Sequence, residues 1–333
     1  MRLAGAAVFL AAALLTGVLV GPVDLGALDV VHATFAHVFG LHSPLSGADD
    51  AILWQLRLPR VVLGALVGGT LAAAGAAYQG VFRNPLADPY LLGAAAGAGL
   101  GATLVAAYAP DSGLAGDLLP ISAFAGAGVA VLAAYILGRS AGAAAGPAAL
   151  ILAGVTIASF FTALQIFVQQ QHVDTVQAVY SWLLGRLSTA GWREVGIIAP
   201  YAVASWLILL GHRRLLDVLA VGDDEAAALG VNVARVRLLV VVAATIATAA
   251  AVAVAGLIAF VGIIVPHTIR LLVGGSYRLL MPLSIIVGAG FLVFADVIAR
   301  TIMSPAELPI GVVTAFFGAP FFAVVLRTGR RYA

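Results

Sequence analysis

The sequence contains no cysteine and no lysine, so all 17 of its basic residues are arginines. The absence of cysteine excludes disulfide bonds, thiolate metal sites and cysteine nucleophiles. The absence of lysine excludes the phosphate-binding lysine of a P-loop and a catalytic Schiff base. We expect no cofactor or metal on this chain. If the protein consumes ATP, a separate ATPase chain must bind the ATP and its Mg²⁺.

Charged residues are also scarce, at 10% of the 333 residues against about 25% in a typical soluble domain. Hydrophobic residues make up 62% of the chain, and its 38 glycines suit close helix packing in lipid. The formal net charge is only +2, and the arginines are scattered at the ends of apolar runs, which argues against a nucleic-acid partner. The composition predicts an all-α polytopic membrane protein.

Ten apolar segments are long enough, or nearly so, to cross a bilayer as helices. They cover residues 3–20, 61–78, 91–108, 118–137, 148–168, 197–210, 238–255, 257–273, 279–302 and 310–326. We expect a single transmembrane domain over residues 1–333. The eighth segment contains Pro266 and should be a half-length or broken helix. Residues 21–56 are expected to form a loop with interfacial turns, and residues 169–191 a short interfacial helix.

The distribution of arginine predicts the orientation of the chain in the membrane. With ten spans and a cytoplasmic N-terminus, twelve arginines fall inside: Arg2, Arg83, Arg139, Arg213, Arg214, Arg235, Arg237, Arg270, Arg278, Arg327, Arg330 and Arg331. Five fall outside: Arg57, Arg60, Arg186, Arg193 and Arg300. This excess follows the positive-inside rule, so both termini are expected in the cytoplasm.

The densest cluster of charge is the polar segment 212–237, which interrupts two apolar runs. Asp223, Asp224 and Glu225 precede a short helix-forming run, and Gly230 follows it. Acidic residues stabilise the N-terminus of a helix, and glycine suits its C-terminal turn. We therefore expect one or two short helices outside the membrane. They would form either an ordinary solvated loop or a docking surface for a separate soluble chain.

Five motifs carry a resemblance to a known family. They are residues 57–60 (RLPR), 82–93 (FRNPLADPYLLG), 226–231 (AAALGV), 260–270 (FVGIIVPHTIR) and 307–320 (ELPIGVVTAFFGAP). Together they resemble the FecCD family, the permease subunits of binding-protein-dependent ABC importers for iron-siderophores, haem and vitamin B12.

The resemblance implies a type II ABC importer permease of about ten helices in the inner cell membrane. Its partners would be a second permease chain, identical or homologous, two ATPase subunits and an extracytoplasmic substrate-binding protein. Two coupling helices are implied at residues 215–221 and 223–229. Their apolar faces would pack into the ATPase, while the neighbouring charges fix the register. The implied coupling residues are Arg213, Arg214, Leu215, Leu219, Asp223, Asp224, Glu225, Ala226, Leu229 and Gly230.

On the outer side, the resemblance implies that Arg57, Arg60 and Arg300 face carboxylates of the binding protein. Arginine forms bidentate pairs with carboxylates, which suits such an interface. For Arg57 and Arg60 the alternative is anchoring to lipid headgroups. For Arg300 the alternative is neutralisation by Asp296, four residues earlier on the same helix face.

The resemblance also implies a cytoplasmic gate at the turn that contains Asn84 and Leu86. The turn could instead serve only as a connection. A second gate region falls at Gly146 and Pro147, where hydroxyl-bearing residues of the family pattern are missing. A polar stripe along the fifth span is expected either to line the pathway or to bond a partner helix. The stripe consists of Thr156, Ser159, Thr162 and Gln165.

Two further expectations concern chemistry. His267 follows Pro266 and should hydrogen-bond the backbone that this proline frees, because no metal ligand stands at a suitable spacing. An iron chelate is the favoured substrate because it is the commonest in the family, with cobalamin as the alternative. An ion-coupled secondary transporter is disfavoured, since the one plausible buried carboxylate, Asp296, has Arg300 beside it.

Overall fold

The computed structural model describes residues 2–21, 23–109, 115–140, 146–188 and 191–329. Within these ranges every regular element is helical. In chain order the helices are α1 (Arg2–Leu19), α2 (Ala27–Phe39), α3 (Gly47–Ala51), α4 (Leu58–Phe82), α5 (Ala94–Tyr108), α6 (Ala115–Ser140), α7 (Gly146–Gln171), α8 (Val176–Leu183), α9 (Trp192–Leu219), α10 (Asp223–Ala228), α11 (Val233–Ala255), α12 (Val261–Val273), α13 (Tyr277–Thr301) and α14 (Ile310–Gly329). A π-helical turn, Ile52–Arg57, joins α3 to α4, and a 3-10 turn, Val173–Thr175, precedes α8.

Seven helical segments in the described ranges are long and apolar enough to cross a membrane. They are α1, the continuous stretch Gly47–Phe82, α6, α7, α9, α11 and α13. Three shorter apolar helices, α5, α12 and α14, complete a set of ten. The predicted all-α membrane fold is confirmed. Helix α12 has 13 residues with Pro266 inside it, which agrees with the expected half-length helix.

The segment between the first two spans differs from the prediction. Residues 21–56 were expected to form a loop with turns, but they contain α2, a helix of 13 residues, and the short α3. Gly26 and Gly40 flank α2 with positive φ angles of 74° and 68°. Glycine adopts this conformation without steric cost, so these two residues set the ends of α2. The spacing of Leu28, Val31, Phe35 and Phe39 by three and four residues was the available signal.

Helix α4 forms the centre of the bundle and packs against α13, α11 and α9. Its close packing depends on glycine. A Cβ atom added at Gly68 would overlap the carbonyl of Gly288, and one added at Gly75 would overlap the carbonyl of Gly262. Small residues of this kind let two backbones approach each other in lipid. On the other side, α5 and α6 meet at a similar contact between Gly97 and Gly126.

Charged side chains collect at the two ends of the bundle. At the end that we call the α10 end, Arg83 pairs with Asp223, and Arg2 bonds the carbonyl of Val273. At the opposite end, which we call the α2 end, the described ion pairs include Arg60–Asp296 and Arg193–Asp117. The chain therefore passes between two polar ends through an apolar middle, as ten alternating spans require.

Candidate functional site

The polar segment 212–237 folds around the short helix α10. The expectation of a separate helix at residues 215–221 is wrong, because α9 continues without a break to Leu219. A turn at Gly222 leads into α10, and Gly230 follows that helix with a φ of 81°. The side chain of Asn232 then caps α11 by accepting the backbone N–H of Arg235 at 3.0 Å. One short helix, rather than two, therefore projects beyond the spans.

Asp223 ties α10 to the ends of two spans. Its carboxylate accepts Nη2 of Arg237, at the start of α11, at 2.9 and 3.0 Å. It also pairs with Nη2 of Arg83 at 3.1 Å. Arg83 ends α4 in the left-handed conformation, with φ 50°. Asp223 therefore joins α10 to α4, the central helix, and to α11.

The apolar residues around α10 divide into two groups. Leu219 and Ala226 are buried within this chain, so the expectation that they face a partner is wrong for these two. Leu215 is half-buried. In contrast, Leu229 is 70% exposed and Val221 is 69% exposed. The surface that remains open to another chain therefore consists of apolar residues beside acidic ones.

The other predicted coupling residues lie on the outside of the same surface. Arg214, Asp224, Glu225 and Gly230 are exposed, and Arg213 is half-buried. We name the exposed set the α10 surface, and it comprises Arg214, Val221, Asp224, Glu225, Leu229 and Gly230. The charges that accompany its two apolar side chains keep it soluble when it is uncovered.

A second polar contact joins the end of α9 to the start of α13. Asp217 accepts the backbone N–H of Tyr277 at 2.6 Å and the hydroxyl of Ser276 at 2.9 Å. Arg270 of α12 donates to the Tyr277 hydroxyl at 2.9 Å and lies near Gln79 of α4, 3.4 Å from its Oε1. The α10 end is therefore one connected polar layer across α4, α9, α12 and α13.

The turn after α4, at residues 83–93, is held by its own side chains. Asn84 Oδ1 accepts the backbone N–H of Leu86 at 2.9 Å, and Asp88 accepts that of Tyr90 at 2.7 Å. The Tyr90 hydroxyl donates to the carbonyl of Ile258 at 3.1 Å, in the break between α11 and α12. Burial raises the pKa of Asp88 to about 6, although the bond from the Tyr90 amide opposes the shift. Asn84 and Leu86 are exposed, and their role as a gate stays a prediction.

His267 contributes to the same turn. Its imidazole lies against the backbone of Pro85, rather than against the backbone freed by Pro266 as expected. It also packs edge-on against the ring of Phe321, with 5.7 Å between the ring centroids. This links the turn to α12 and α14.

The polar stripe of α7 is divided by burial. Thr156, Ser159 and Thr162 are exposed on the single chain. Gln165 is buried, and its Oε1 packs closely against Gly99 of α5. The first three residues therefore face whatever lies beside α7, while Gln165 helps to join α7 to α5. Gly146 and Pro147 begin α7, and the surroundings of these two residues, including any gate role, lie outside what the structure describes.

Arg57 is directed into the protein at the α2 end. Its guanidinium donates to the carbonyls of Val18 and Leu19 at 3.2 Å each and also bonds the carbonyl of Val23. The last carbonyls of a helix lack partners within the helix, so these bonds satisfy the end of α1. Arg57 is only 5% exposed, and its contacts do not match the expected outward orientation.

Arg60 holds two carboxylates. It binds Asp296 through Nε and Nη2 at 2.8 to 3.0 Å, and Glu307 through Nη1 and Nη2 at 2.8 and 3.1 Å. Arg300 is 3% exposed, bonds the carbonyl of Gly17 and has Nε 3.6 Å from Asp296. The main partner of Asp296 is thus Arg60 rather than Arg300. Of the three outer arginines, Arg60 lines a cavity of about 180 Å³, together with Asp296 and Glu307.

Comparison with known proteins agrees with this architecture. The model of the FecCD transport family matches residues 9–328. The chain belongs to the FecCD transport family. The chain is therefore a permease, the membrane subunit of an ABC transporter and not an enzyme, and the ATPase is a separate subunit.

Three proteins illustrate the relationship of this FecCD permease to others. It is 39% identical over 96% of its length to the ABC transporter permease protein YvrB of Bacillus subtilis, covering 91% of that protein. It is 36% identical over 96% of its length to the Fe(3+)-citrate import system permease protein YfmE of the same organism, covering 94% of it. A solved metal-chelate type ABC transporter in an inward-facing conformation superposes with a TM-score of 0.84 at 28% identity, covering 97% of this chain and 98% of that one.

Several residues at the α10 end were not predicted from the sequence to be functional. Arg83 and Arg237 were assigned only to the cytoplasmic side, yet both hold Asp223. Asp217 was given no role beyond its place in the polar segment 212–237, but it bonds the start of α13. The partners lie far apart in the chain, so spacing along the sequence could not pair them. The density of charge in this segment was the one signal available.

Proposed function

We propose that this FecCD permease forms the translocation pathway of an ATP-driven importer for an iron chelate. The α10 end faces the cytoplasm, as the excess of arginine at that end favours, and the chain resides in the inner cell membrane with both termini inside. The substrate class rests on relatives named for Fe(3+)-citrate import and on the neighbouring metal-chelate transporter. The chain itself supplies a conduit, while substrate affinity resides in a separate binding protein.

The observation that carries the coupling role is the geometry of α10. A helix of six residues is fixed to α4 and α11 through Asp223, yet it leaves Leu229 uncovered at its end. A helix that is attached to two spans and carries an exposed apolar side chain can pass the movement of a bound partner to those spans. The ATPase therefore contacts the α10 surface, and its closure on ATP moves α4 and α11, which alternates access to the pathway.

Leu229→Asp tests this contact. Burial of a leucine side chain contributes about 2 kcal/mol, so its loss should weaken binding of the ATPase roughly 30-fold. The thermal stability of the permease should not change, because Leu229 touches solvent in the free chain. The measurement is the affinity of the purified permease for its ATPase, with Leu229→Met as the matched control that keeps an apolar side chain. Equal affinity for Leu229→Asp and Leu229→Met would exclude the α10 surface as the contact.

A second copy of the permease, or a homologous chain, packs beside α7. The exposed face of α7 combines Thr156, Ser159 and Thr162 with apolar side chains such as Phe160 and Phe167. Such a mixed face suits a helix interface next to an aqueous pathway better than contact with lipid alone. The three hydroxyl groups line the pathway between the two copies, and the turn with Asn84 and Leu86 closes it from the cytoplasm.

The binding protein docks at the α2 end. Arg60 and Glu307 border the cavity there, so of the three arginines Arg60 is the one placed to exchange its contact with Glu307 for a carboxylate of the binding protein. Arg57 and Arg300 act indirectly, because they hold the end of α1 through backbone carbonyls. Docking should accordingly weaken as salt concentration rises, since charged contacts at a partly exposed surface are screened.

Cobalamin is the second candidate substrate. The permease is 38% identical over 92% of its length to the cobalamin import system permease protein BtuC of Halobacterium salinarum, covering 81% of that protein. Binding of iron citrate, iron hydroxamate and cobalamin to the cognate binding protein separates the candidates. Tight binding of cobalamin with none of an iron chelate would replace the proposed substrate and leave the transport mechanism intact.

A further inference from the structure

Helix α2 presents an apolar stripe that no other part of the described chain covers. Leu28, Val31, Phe35 and Phe39 are between 47% and 76% exposed. Their spacing places them within one arc of the helix, since residues three, four and seven apart share a face. The opposite face packs Val30 and other residues against the π-helical turn before α4. Four large apolar side chains on one exposed face would be unfavourable in water.

Beneath this stripe lies an open groove between α1 and α2, with a volume of about 510 Å³. This is within the range of ligand pockets, about 300–1,000 Å³. The lining is almost wholly apolar, and its one hydroxyl, on Thr34, donates at 2.7 Å to the carbonyl of Val30. The groove therefore offers no polar group to an occupant. Its walls include Leu14, Leu15 and Val18 of α1 and Val31, Phe35 and Phe39 of α2.

The groove lies at the depth of one membrane leaflet. Helix α1 has 18 residues and is about 27 Å long, close to the roughly 30 Å of the hydrocarbon core. The groove uses residues 11–19 of α1, which are the half next to the α2 end. It is continuous with the exposed apolar face of α1, where Val8 and Leu15 are 69% and 55% exposed. That face borders lipid in a membrane-spanning helix.

Aromatic side chains at the α2 end indicate where the membrane interface lies. His37 of α2 stacks on Trp54 with ring centroids 4.3 Å apart, and it bonds Asp50 at 2.8 Å. Trp192, at the start of α9, donates its Nε1–H to the carbonyl of Trp54 at 2.8 Å. Tryptophan is enriched where membrane spans meet the headgroup region. These contacts attach the polar side of α2 at the membrane interface.

We propose that α2 lies in the membrane interface at the α2 end with its apolar stripe in the lipid, and that the groove between α1 and α2 binds one acyl chain of a phospholipid. The stripe supplies the buried apolar face of an interfacial helix. The occupant is a lipid chain because the groove is dry, apolar and continuous with the lipid-facing surface of α1. The bound lipid would fix α2 next to Arg57 and the end of α1.

The natural absence of cysteine makes the position of α2 directly measurable. Single cysteines replace Phe35 on the stripe, Leu15 on the lipid face of α1, and Asp174, which is exposed at the same end. Each carries a nitroxide label in vesicles of phosphatidylcholine and phosphatidylglycerol. Phe35→Cys should collide with oxygen several-fold more than with a water-soluble nickel complex, as Leu15→Cys does, whereas Asp174→Cys should show the reverse. A Phe35→Cys label that behaves like Asp174→Cys overturns the proposal. Spin–spin broadening between two copies at Phe35→Cys also overturns it, because a second chain would then be the occupant.

A second experiment tests the groove itself. Vesicles contain phosphatidylcholine with a diazirine in its acyl chain, and adducts are mapped by mass spectrometry after irradiation. Residues 11–19 and 30–39 should be labelled, and Val31→Trp, which fills the groove, should reduce this labelling several-fold. Labelling at Leu132, 58% exposed on α6, should not change. Unchanged labelling of the groove in Val31→Trp would mean that only surrounding bulk lipid touches this surface. Neither experiment depends on the ATPase or on transport, so the outcome is independent of the proposed function.

Discussion

The ion pairs of Asp223, which attach α10 to the bundle, give the sharpest test of how ATP hydrolysis is coupled to transport. Asp223→Asn removes the charge that holds Arg237 and Arg83. Both ion pairs are partly exposed, so each should contribute about 0.2–1 kcal/mol. Their loss together should weaken the attachment of α10 by about 0.5–2 kcal/mol, or roughly 2- to 30-fold in the population of attached α10. The core spans do not depend on this contact, so the fold should persist.

The expected result is uncoupling. In proteoliposomes with the ATPase and the binding protein, the amount of substrate imported per ATP hydrolysed should fall in Asp223→Asn. Asp174→Asn is the control, since Asp174 is exposed at the opposite, α2 end and carries the same charge. It should retain the coupling that Asp223→Asn loses.

A double-mutant cycle gives the stricter criterion. Arg237→Gln alone should reduce coupling, and the combination with Asp223→Asn should cost little more than either change alone, because both remove the same contact. Additive losses would show that the Asp223–Arg237 pair is not the attachment. An Asp174→Asn variant as uncoupled as Asp223→Asn would also contradict the proposed attachment.

The remaining predictions concern stability and pH. Arg60→Gln should destabilise the fold by at most about 3–5 kcal/mol, because it leaves buried Asp296 with only its longer contact to Arg300, at 3.6 Å. Adding Asp296→Asn should restore part of the loss in thermal unfolding, and additive losses would contradict this. Gly75→Ala should lower the stability of the fold by at least about 1–3 kcal/mol, because its Cβ would overlap the carbonyl of Gly262. Gly128→Ala is the control and should be neutral in thermal unfolding, because its Cβ would meet open space. Equal effects of the two changes would contradict the close packing at Gly75. The carboxyl pKa of Asp88 is raised to about 6 from 3.8, so between these pH values the folded turn holds a proton that the unfolded chain has released. The local free energy of unfolding should therefore fall by at most about 3 kcal/mol from pH 4 to pH 6 and then level off. Amide exchange of the turn, corrected for intrinsic rates, measures this, and Asp88→Asn should abolish the pH dependence.

The fold could be predicted largely from the sequence because apolar length is a strong signal. Each of the ten predicted spans corresponds to a helix, and even the short eighth span follows from Pro266. Helix α2 was not predicted because its apolar segment is short and interrupted by polar residues. Its 13 residues are too short to span and carry histidines and an aspartate, so polarity obscured the apolar face.

The candidate site was less predictable because its decisive contacts join distant parts of the chain. The arginines at the α2 end were identified, but not their direction. Arg57 points inward because the carbonyls that end α1 lie beside it, which no local pattern reveals. Similarly, the apolar residues of the polar segment 212–237 looked equivalent in sequence, yet Ala226 is buried and Leu229 is exposed.

Reconstituted transport tests the central claim most directly. The permease, its ATPase and its binding protein are placed in vesicles, and uptake of an iron chelate is measured with and without ATP. Uptake should require ATP and the ATPase, should continue when the pH gradient is collapsed, and should fall in Leu229→Asp but not in Leu229→Met. Uptake driven by a pH gradient in vesicles containing the permease alone would contradict the proposed ATP-driven import.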